Sequence, residues 1–306
     1  MLWAAVVALW CCEGPGERKT ISLEKKAIGD IVHHAPDQKT KIFYFGFDLR
    51  LTPEEDAKQY IPLLRYLEKA TGYQFRIYFL PKGRTVTDCL QNGPVDFAVI
   101  GAGSYLYTYT KDGAILMARG KDEYGRDTYR SVIFTRPDSP VRRIKDIRGK
   151  RMAFGDKLST QGHLIPRIVL FEHGITLKDL AGHTYTGSHE FCAREVIEGL
   201  ADAGGMQDRL AKELAEKGKI RIIHTSKYYP TSGVVARRGV APKAIAAVRK
   251  ALLDFDPKGR HAEGLYNWHR TEMSGGFVPA AKDDYAELSH WANRLRIIDL
   301  GDQAVE

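Results

Sequence analysis

The chain has 306 residues, of which 43% are hydrophobic and 27% charged, a composition typical of a globular protein with a substantial core. The formal net charge is +8, but lysine and arginine are scattered among aspartate and glutamate. No run reaches five like charges, and no nucleic-acid-binding motif is present. The composition therefore argues against nucleic acid as a partner, and we interpret the charge as a solvated basic surface.

The first twelve residues, "MLWAAVVALWCC", form an uncharged apolar segment. A helix needs about 20 residues to span a bilayer, so this segment instead resembles the apolar part of a secretory signal. Leu9 to Cys12 loosely resembles a bacterial lipoprotein motif with Cys12 as the lipidated residue, although Trp10 is bulky and no basic region precedes it. We expect a signal or lipoprotein-like segment over 1–12 and a polar tether over 13–40. A buried N-terminal helix is the alternative.

The folded region is expected to begin at Lys41, where "KIFYFGF" predicts a buried strand rich in aromatic residues. A helix follows, with Thr52 as its N-cap, Pro53 at its first position and Gly72 as its stop. "YQFRIYFL" predicts a second strand, "RTVTDCLQNG" a helix and "VDFAVIG" a third strand. This β-α-β-α-β order indicates a doubly wound α/β unit.

A second α/β unit follows the first. "YRSVIFTRPDSPVRRIKDIRGK" combines an extended run with a proline-interrupted connection, and "RMAFGD" predicts another strand. Helices are predicted in "HLIPRIVLFEHGI" and "GSHEFCAREVIEGL", a short strand in "ADAGGM", and two strands in "KIRIIHTSKYYPTSGVVARRG". "PKAIAAVRKALLDF" and "DYAELSHWANRL" predict C-terminal helices. We therefore expect two lobes, 41–134 with 235–306 and 135–234, joined by crossings near 134–137 and 228–235.

Three predicted strand-to-helix turns are rich in small and hydroxyl residues: "IGAGSYLY" at 100–107, "FGDKLSTQGH" at 154–163 and "YTGSHEF" at 185–191. Ligands of open α/β sheets bind at the carboxyl ends of strands, and helix N-termini favour anions there. Serine, threonine and glycine are also ordinary helix caps, so capping explains each turn taken alone. Three such turns on one cleft would suit a small oxyanion.

Six segments together resemble one family. They are "VDFAVIGAGSYL", "YRSVIFTRPDS", "GKRMAFGDKLSTQGHLIPR", "TGSHE", "ADAGG" and "GFVPAAKDDY". From Lys41 to about Leu295 the chain resembles the phosphate/phosphite/phosphonate-binding proteins of bacterial ABC importers. The resemblance implies the two-lobed type II periplasmic-binding-protein fold, with a doubly wound sheet in each lobe and two hinge-crossing segments.

The resemblance also implies ligand-binding residues. The family's Ser-Thr-x-Gly turn and its accompanying tyrosine and histidine fall here on Ser159, Thr160, Gln161, Gly162, Ser104, Tyr105 and His189. Gln161 departs from the pattern, since serine is often found there, and its bulk could fill space meant for a longer substituent.

Further residues are candidates for the cleft wall: Phe47, Asp48, His163, Gln207 and Asp208. Glu190 is another candidate for holding a ligand amine. Arg50 could also line the cleft, or it could pair with Asp48 or Glu54 instead.

The function implied is an exported receptor that captures a small phosphorus oxyanion between its lobes and delivers it to an ABC permease. We expect a monomer without metal or cofactor, in the periplasm or on the outer face of the cytoplasmic membrane. A sensory protein that reports the ligand to a membrane signalling partner is the alternative. An enzyme is not expected, because HExxH, GxSxG and Walker A motifs are absent and Asp96 and Asp202 read as structural. Cys89 and Cys192 lack metal-ligand spacing and are expected to be buried free thiols.

Overall fold

The computed structural model describes residues 41–298, and the structural statements below concern this part of the chain. Its strands are β1 Ile42–Phe47, β2 Gln74–Ile77, β3 Phe97–Ile100, β4 Ile115–Gly120, β5 Thr128–Tyr129, β6 Ser131–Thr135, β7 Arg151–Phe154, β8 Gly182–Tyr185, β9 Ala203–Gln207, β10 Arg221–Thr225, β11 Tyr229–Pro230, β12 Gly233–Ala236 and β13 Phe277–Pro279. Its α-helices are α1 Pro53–Thr71, α2 Val86–Gln91, α3 Ala102–Asp112, α4 Ile165–Glu172, α5 His189–Ile197, α6 Asp208–Glu216, α7 Pro242–Asp254 and α8 Ala286–Arg294. The predicted signal segment, the tether and Cys12 lie outside the described residues.

Two mixed sheets organise the fold. The six-stranded sheet has the order β13-β4-β12-β3-β1-β2, and the five-stranded sheet has the order β10-β6-β9-β7-β8. In each sheet a parallel group lies at one side, namely β2-β1-β3 and β8-β7-β9, and antiparallel strands complete the other side. We call residues 41–120 and 233–298 the first lobe and residues 131–225 the second lobe, following sheet membership.

The chain crosses between the sheets twice, after β4 and after β10, and the two crossing segments pair with each other. β5 and β11 form a two-stranded antiparallel ribbon in which Tyr229 lies opposite Tyr129. The first crossing precedes the predicted position at 134–137, because residues 131–135 already pair with β9 and β10 of the five-stranded sheet. The lobe limits at 134/135 and 234/235 stay a prediction. The sheets themselves favour a division within 121–130 and 226–232.

Local sequence signals account for the elements that lead to the cleft. The hydroxyl of Thr52 accepts a hydrogen bond from the Glu55 N–H at 3.3 Å, Pro53 opens α1, and Gly72 ends it with φ of 73°. A positive φ strains any residue with a Cβ, so glycine is suited to that position. In β1, Phe43 and Phe45 are fully buried. Burial of each such side chain contributes about 1.5–3 kcal/mol, which fixes the strand that carries the first cleft residues.

Two of the strands that were not predicted have sequences that show why. β8 is an edge strand with partly exposed residues, and β13 has three residues, so neither gives a clear apolar alternation. The two carboxylates that we expected to be structural form ion pairs. Asp96 pairs with Arg237 at 2.6 Å, and Asp202 pairs with Arg151 at 3.3 Å. Over residues 41–298, none of the helices has both the length and the apolar character that crossing a membrane requires.

Candidate functional site

A cleft of about 330 Å³ lies where the turns of the two lobes meet. All three predicted hydroxyl-rich turns contribute to its wall. The residues that line it are Phe47, Asp48, Leu49, Arg50, Leu80, Gly83, Arg84, Thr85, Val86, Thr87, Gly101, Ser104, Tyr129, Gly155, Asp156, Leu158, Ser159, Thr160, Gln161, Gly187, Ser188, His189, Ser232 and Glu272. The structure thus brings together the turns that follow β1, β3, β7 and β8, at the carboxyl ends of parallel strands.

The first turn is built around a carboxylate. Asp48 follows β1, and its Oδ2 accepts hydrogen bonds from the Gly101 N–H at 2.8 Å and the Ser104 hydroxyl at 2.9 Å. Burial raises the pKa of Asp48 to about 6, and the Gly101 N–H and the charge of Arg50 oppose that rise. The proton of the Ser104 hydroxyl is therefore directed at Asp48, and this turn presents mainly hydrogen-bond acceptors.

The second turn presents donors. The Ser159 hydroxyl accepts from the Gly162 N–H at 3.0 Å, and the Thr160 hydroxyl accepts from the Gly103 N–H at 3.0 Å. Each hydroxyl oxygen is thus used as an acceptor, which leaves its proton for a ligand. Residues Thr160–Leu164 are wound as a π-helix that leads into α4, and the first N–H groups of a helix have no acceptor within it.

The third turn places a histidine at the start of α5. Ser188 caps that helix by accepting from the Phe191 N–H at 3.1 Å, and His189 is buried directly after it. Burial lowers the pKa of His189 to about 4, and the charge of Arg50 adds to the effect. Its Nδ1 is buried without a hydrogen-bond partner in the described part of the chain. A buried ring nitrogen without a partner at a cleft wall is a strong candidate for ligand contact.

Arg50 is held by a carboxylate that the sequence analysis did not consider. Its Nε contacts Glu272 Oε1 at 3.2 Å, and its Nη2 donates to Ser232 Oγ at 3.1 Å. Asp48 contributes only its backbone oxygen, at 3.0 Å from Nη1. Burial alone would raise the pKa of Glu272, but the adjacent Arg50 guanidinium holds it below its usual value. The predicted alternative partners, the carboxylates of Asp48 and Glu54, are therefore replaced by Glu272.

Tyr105 lies outside the cleft, although the resemblance assigned it to the ligand. Its ring packs against Tyr109 and Tyr285, with centroids 5.7 and 5.6 Å away, and burial raises its pKa to about 12. Successive residues of an α-helix point about 100° apart, so Ser104 can face the cleft while Tyr105 faces the core. The structure therefore separates these two predicted site residues.

Two further predicted residues of the second turn support the cleft from behind. Gly162 does not line it, and a Cβ there would come within 2.8 Å of Ser159 Oγ, so glycine permits the close approach. The His163 ring packs edge-on against Phe154 and Tyr185, and its Nδ1 lies 2.6 Å from the Lys157 carbonyl. His163 therefore orients the turn without reaching the cleft.

Gln161 lines the cleft, and one of its two amide protons is already used. Its Nε2 donates to the carbonyl oxygen of Arg130 at 2.9 Å. Gln207 and Asp208 line a neighbouring cavity of about 260 Å³ instead, where Asp208 lies 4.0 Å from Arg130. Glu190 pairs with Arg194 at 3.6 Å on α5 and is also absent from the cleft wall.

Several residues of the wall were not predicted. Tyr129 and Ser232 lie on or beside the crossing segments, and the Tyr129 hydroxyl is buried without a partner in the described region. Arg84 and Asp156 complete the charged lining. A signal was available for Asp156, which stands directly before the hydroxyl-rich turn, whereas no local pattern marks Tyr129 or Ser232. Within residues 41–298, no cluster of three histidine, cysteine or acidic side chains is placed to hold a metal ion.

These features define a class of protein: two α/β lobes joined by a paired double crossing, with a cleft lined by hydroxyl and charged side chains between them. The family model described as "ABC transporter, phosphonate, periplasmic substrate-binding protein" matches residues 45–285, and the chain belongs to this family. The family membership confirms the predicted two-lobed fold and places the chain among periplasmic binding proteins of ABC importers rather than enzymes.

Named relatives agree with this assignment. The phosphate-import protein PhnD of Mycolicibacterium smegmatis is 26% identical over 253 residues, covering 76% of this chain and 78% of that protein. The phosphonates-binding periplasmic protein of Escherichia coli is 26% identical over 218 residues, covering 68% of this chain and 64% of that protein. The structure of PhnD1 from Prochlorococcus marinus in complex with methylphosphonate superposes with a TM-score of 0.74 at 17% identity, covering 84% of this chain and 99% of that chain.

Proposed function

We propose that this chain binds a small phosphorus oxyanion (a phosphonate, phosphite or phosphate) in the cleft between its lobes. The observation that carries the proposal is the convergence of three helix N-terminal turns on one cleft, with two hydroxyl donors and a buried histidine nitrogen directed at it. Helix N-termini and hydroxyl protons surround a tetrahedral anion without requiring a full countercharge. The names of the relatives support the same ligand class.

The ligand-binding residues that we propose are Ser159, Thr160, Gln161, His189 and Ser104. The Ser159 and Thr160 hydroxyls donate to the anion, and so do the first N–H groups of the helix that they open. Ser104 donates its hydroxyl proton to Asp48, the carboxylate of the first turn, and so contributes its oxygen to the cleft wall. Tyr105 and Gly162 support the site from the core and from the turn, respectively.

The capture mechanism that we propose is closure of the lobes around the anion. Gly103 of the first lobe donates to Thr160 of the second at 3.0 Å, beside the cleft, so the two lobes touch where a ligand would bridge them. A bound anion favours the state in which both walls contact it, and the permease recognises that state.

Isothermal titration of the full chain with phosphite, methylphosphonate, 2-aminoethylphosphonate and phosphate tests the ligand. We expect saturable binding of at least one of them. The double variant Ser159→Ala/Thr160→Ala is expected to lose that binding while keeping its circular dichroism spectrum, since losing a cap costs about 0.5–2 kcal/mol. Thr52→Ala removes the cap of α1, away from the cleft, and is the matched control. Binding of none of the four anions would refute the ligand class.

We also propose that Cys12 carries a lipid anchor and that the chain is a monomer, with the apolar N-terminal segment as the observation behind the anchor. Membrane fractionation of wild type and Cys12→Ser tests the anchor, and light scattering of the purified chain tests the oligomeric state. An unchanged distribution of the variant between membrane and soluble fractions would contradict lipidation.

A further inference from the structure

The two walls of the cleft have opposite hydrogen-bonding character. On the second lobe, the Ser159 and Thr160 hydroxyls accept backbone N–H groups and keep their protons for a ligand. On the first lobe, the Ser104 proton goes to Asp48, so these two residues of the cleft wall have acceptors rather than a hydroxyl proton to offer. A fully deprotonated oxyanion can satisfy the first set of groups but not the second.

One carboxylate oxygen of Asp48, Oδ1, can accept a further hydrogen bond. Its Oδ2 accepts two hydrogen bonds, from Gly101 at 2.8 Å and Ser104 at 2.9 Å. Its Oδ1 receives only the longer 3.2 Å contact from the same hydroxyl, whose single proton serves one oxygen at a time. Asp48 is half-buried and lines the cleft, so Oδ1 is the acceptor that we assign to a ligand.

The charges around Asp48 do not favour a dianion. The cleft wall carries three carboxyl groups, those of Asp48, Asp156 and Glu272, and two guanidinium groups, those of Arg50 and Arg84. The Arg50 charge is largely compensated by Glu272, its partner at 3.2 Å.

Other titratable groups near this carboxylate add no free positive charge. His189 is held neutral by burial, with its pKa lowered to about 4, and the phenol of Tyr60 is also neutral because its pKa is raised. Burial in turn raises the pKa of Asp48 to about 6, with Asp156 adding to the rise and Arg50 and the Gly101 N–H opposing it. The site thus favours a proton shared between the Asp48 carboxylate and a ligand oxygen. The alternative, in which both groups are ionised and face each other, is disfavoured.

We propose that Asp48 makes the cleft selective for oxyanions that can carry an acidic proton, by accepting a hydrogen bond from a protonated ligand oxygen at Oδ1. The proposal rests on the proposed function and names the residue that selects its ligand class against sulfur oxyanions. A phosphonate or phosphite monoanion brings this proton as its P–OH group, and a dianion takes one proton from the buffer as it binds. Sulfate and sulfonates bear no such proton at neutral pH, so they place an unprotonated oxygen against the carboxylate.

Methylphosphonate and methanesulfonate provide the test, because they share a methyl group and a tetrahedral XO₃ centre and differ in the acidic proton. In calorimetry of the full chain at pH 7.5, we expect methylphosphonate to bind at least about 100-fold more tightly. A hydrogen bond to a charged group is worth roughly 10- to 150-fold in affinity, so Asp48→Asn is expected to bring the ratio below about tenfold. Asp138→Asn, which neutralises an exposed carboxylate remote from the cleft wall, is the matched control and should keep the wild-type ratio.

A proton count on the wild type decides the matter even if Asp48→Asn does not fold. Titrations with methylphosphonate at pH 8.5, in buffers of different ionisation enthalpy, should show uptake of about one proton per ligand bound. No uptake by the wild type would overturn the role of Asp48.

Failure of this proposal and failure of the proposed function give different results. Equal affinity of the wild type for methylphosphonate and methanesulfonate would overturn the selectivity by Asp48 and leave an oxyanion-binding cleft. Absence of binding of methylphosphonate, 2-aminoethylphosphonate, phosphite and phosphate would overturn the proposed function, and the Asp48 proposal with it.

Discussion

Gly103→Ala should weaken ligand binding without weakening the fold. Gly103 lies in the first turn of α3, and its backbone directly faces Leu158 of the second lobe. An added Cβ would overlap the Leu158 carbonyl oxygen and stand 3.1 Å from its carbon. The Cβ is fixed to the backbone of residue 103 and the Leu158 carbonyl is itself backbone, so no side-chain rotation removes the overlap. Only separation of the two lobes does.

Under the proposed closure, the added methyl group destabilises the closed state alone. Overpacking costs about 1–3 kcal/mol, and losing the 3.0 Å hydrogen bond from the Gly103 N–H to Thr160 costs about 0.5–1.5 kcal/mol more. Together these destabilise closure by about 1.5–4.5 kcal/mol, which corresponds to a loss in affinity between about tenfold and a thousandfold. Separation of the lobes would relieve the overlap, and alanine is a better helix former than glycine by up to about 1 kcal/mol.

Two measurements on the same preparation test this reasoning. Calorimetry with the tightest anion of the panel should show the weakened affinity, while the melting temperature of the ligand-free chain should not fall. Gly182→Ala is the matched control, because a Cβ at Gly182 meets no atom within 4 Å. Unchanged affinity of Gly103→Ala, or a fall in the ligand-free melting temperature that accounts for the lost binding, would refute closure at this contact.

Three further predictions concern single side chains. Glu272→Gln leaves Arg50 buried without its countercharge and should lower the free energy of unfolding, measured in denaturant titrations, by about 3–5 kcal/mol. The exposed control Glu287→Gln should lower it by less than about 1 kcal/mol. Similar losses in the two variants would contradict a buried ion pair. Tyr105→Phe should change the anion affinity by less than about twofold, because its ring packs in the core; a tenfold loss would return Tyr105 to the ligand site. His189 has a folded pKa near 4, below its unfolded value, so the unfolded chain binds the extra proton and stability is lost as pH falls from about 6.5 to 4. His189→Gln should lose less stability over that interval, and equal losses would show that His189 is accessible to protons in the folded state.

Much of the fold follows from local signals in the sequence. Thr52, Pro53 and Gly72 mark the limits of α1 because capping and backbone strain act within one helical turn. The three hydroxyl-rich turns were recognisable for the same reason, since a strand end followed by small polar residues has a short-range signature. Their meeting on one cleft agrees with the rule that ligands lie at the carboxyl ends of parallel strands.

The partners of the cleft side chains were decided by tertiary structure. Arg50 and Glu272 are 222 positions apart, and Asp48 and Gly101 are 53 apart. No periodicity or spacing links residues at such separations, because their contact depends on how the sheets pack and where the chain crosses. The direction of Tyr105 is similar: sequence places it beside Ser104, but only the packing of α3 against Tyr285 determines which of the two faces the cleft.

The sequence by itself therefore determined the α/β class, the limits of α1 and the hydroxyl-rich turns, all of which depend on interactions within a few residues. Tertiary structure decided the rest. It supplied Glu272 as the countercharge of Arg50, turned Tyr105 into the core, and set the acceptor Asp48 opposite the donors Ser159 and Thr160. That arrangement of donors and acceptors arises only when two distant turns face each other across the cleft.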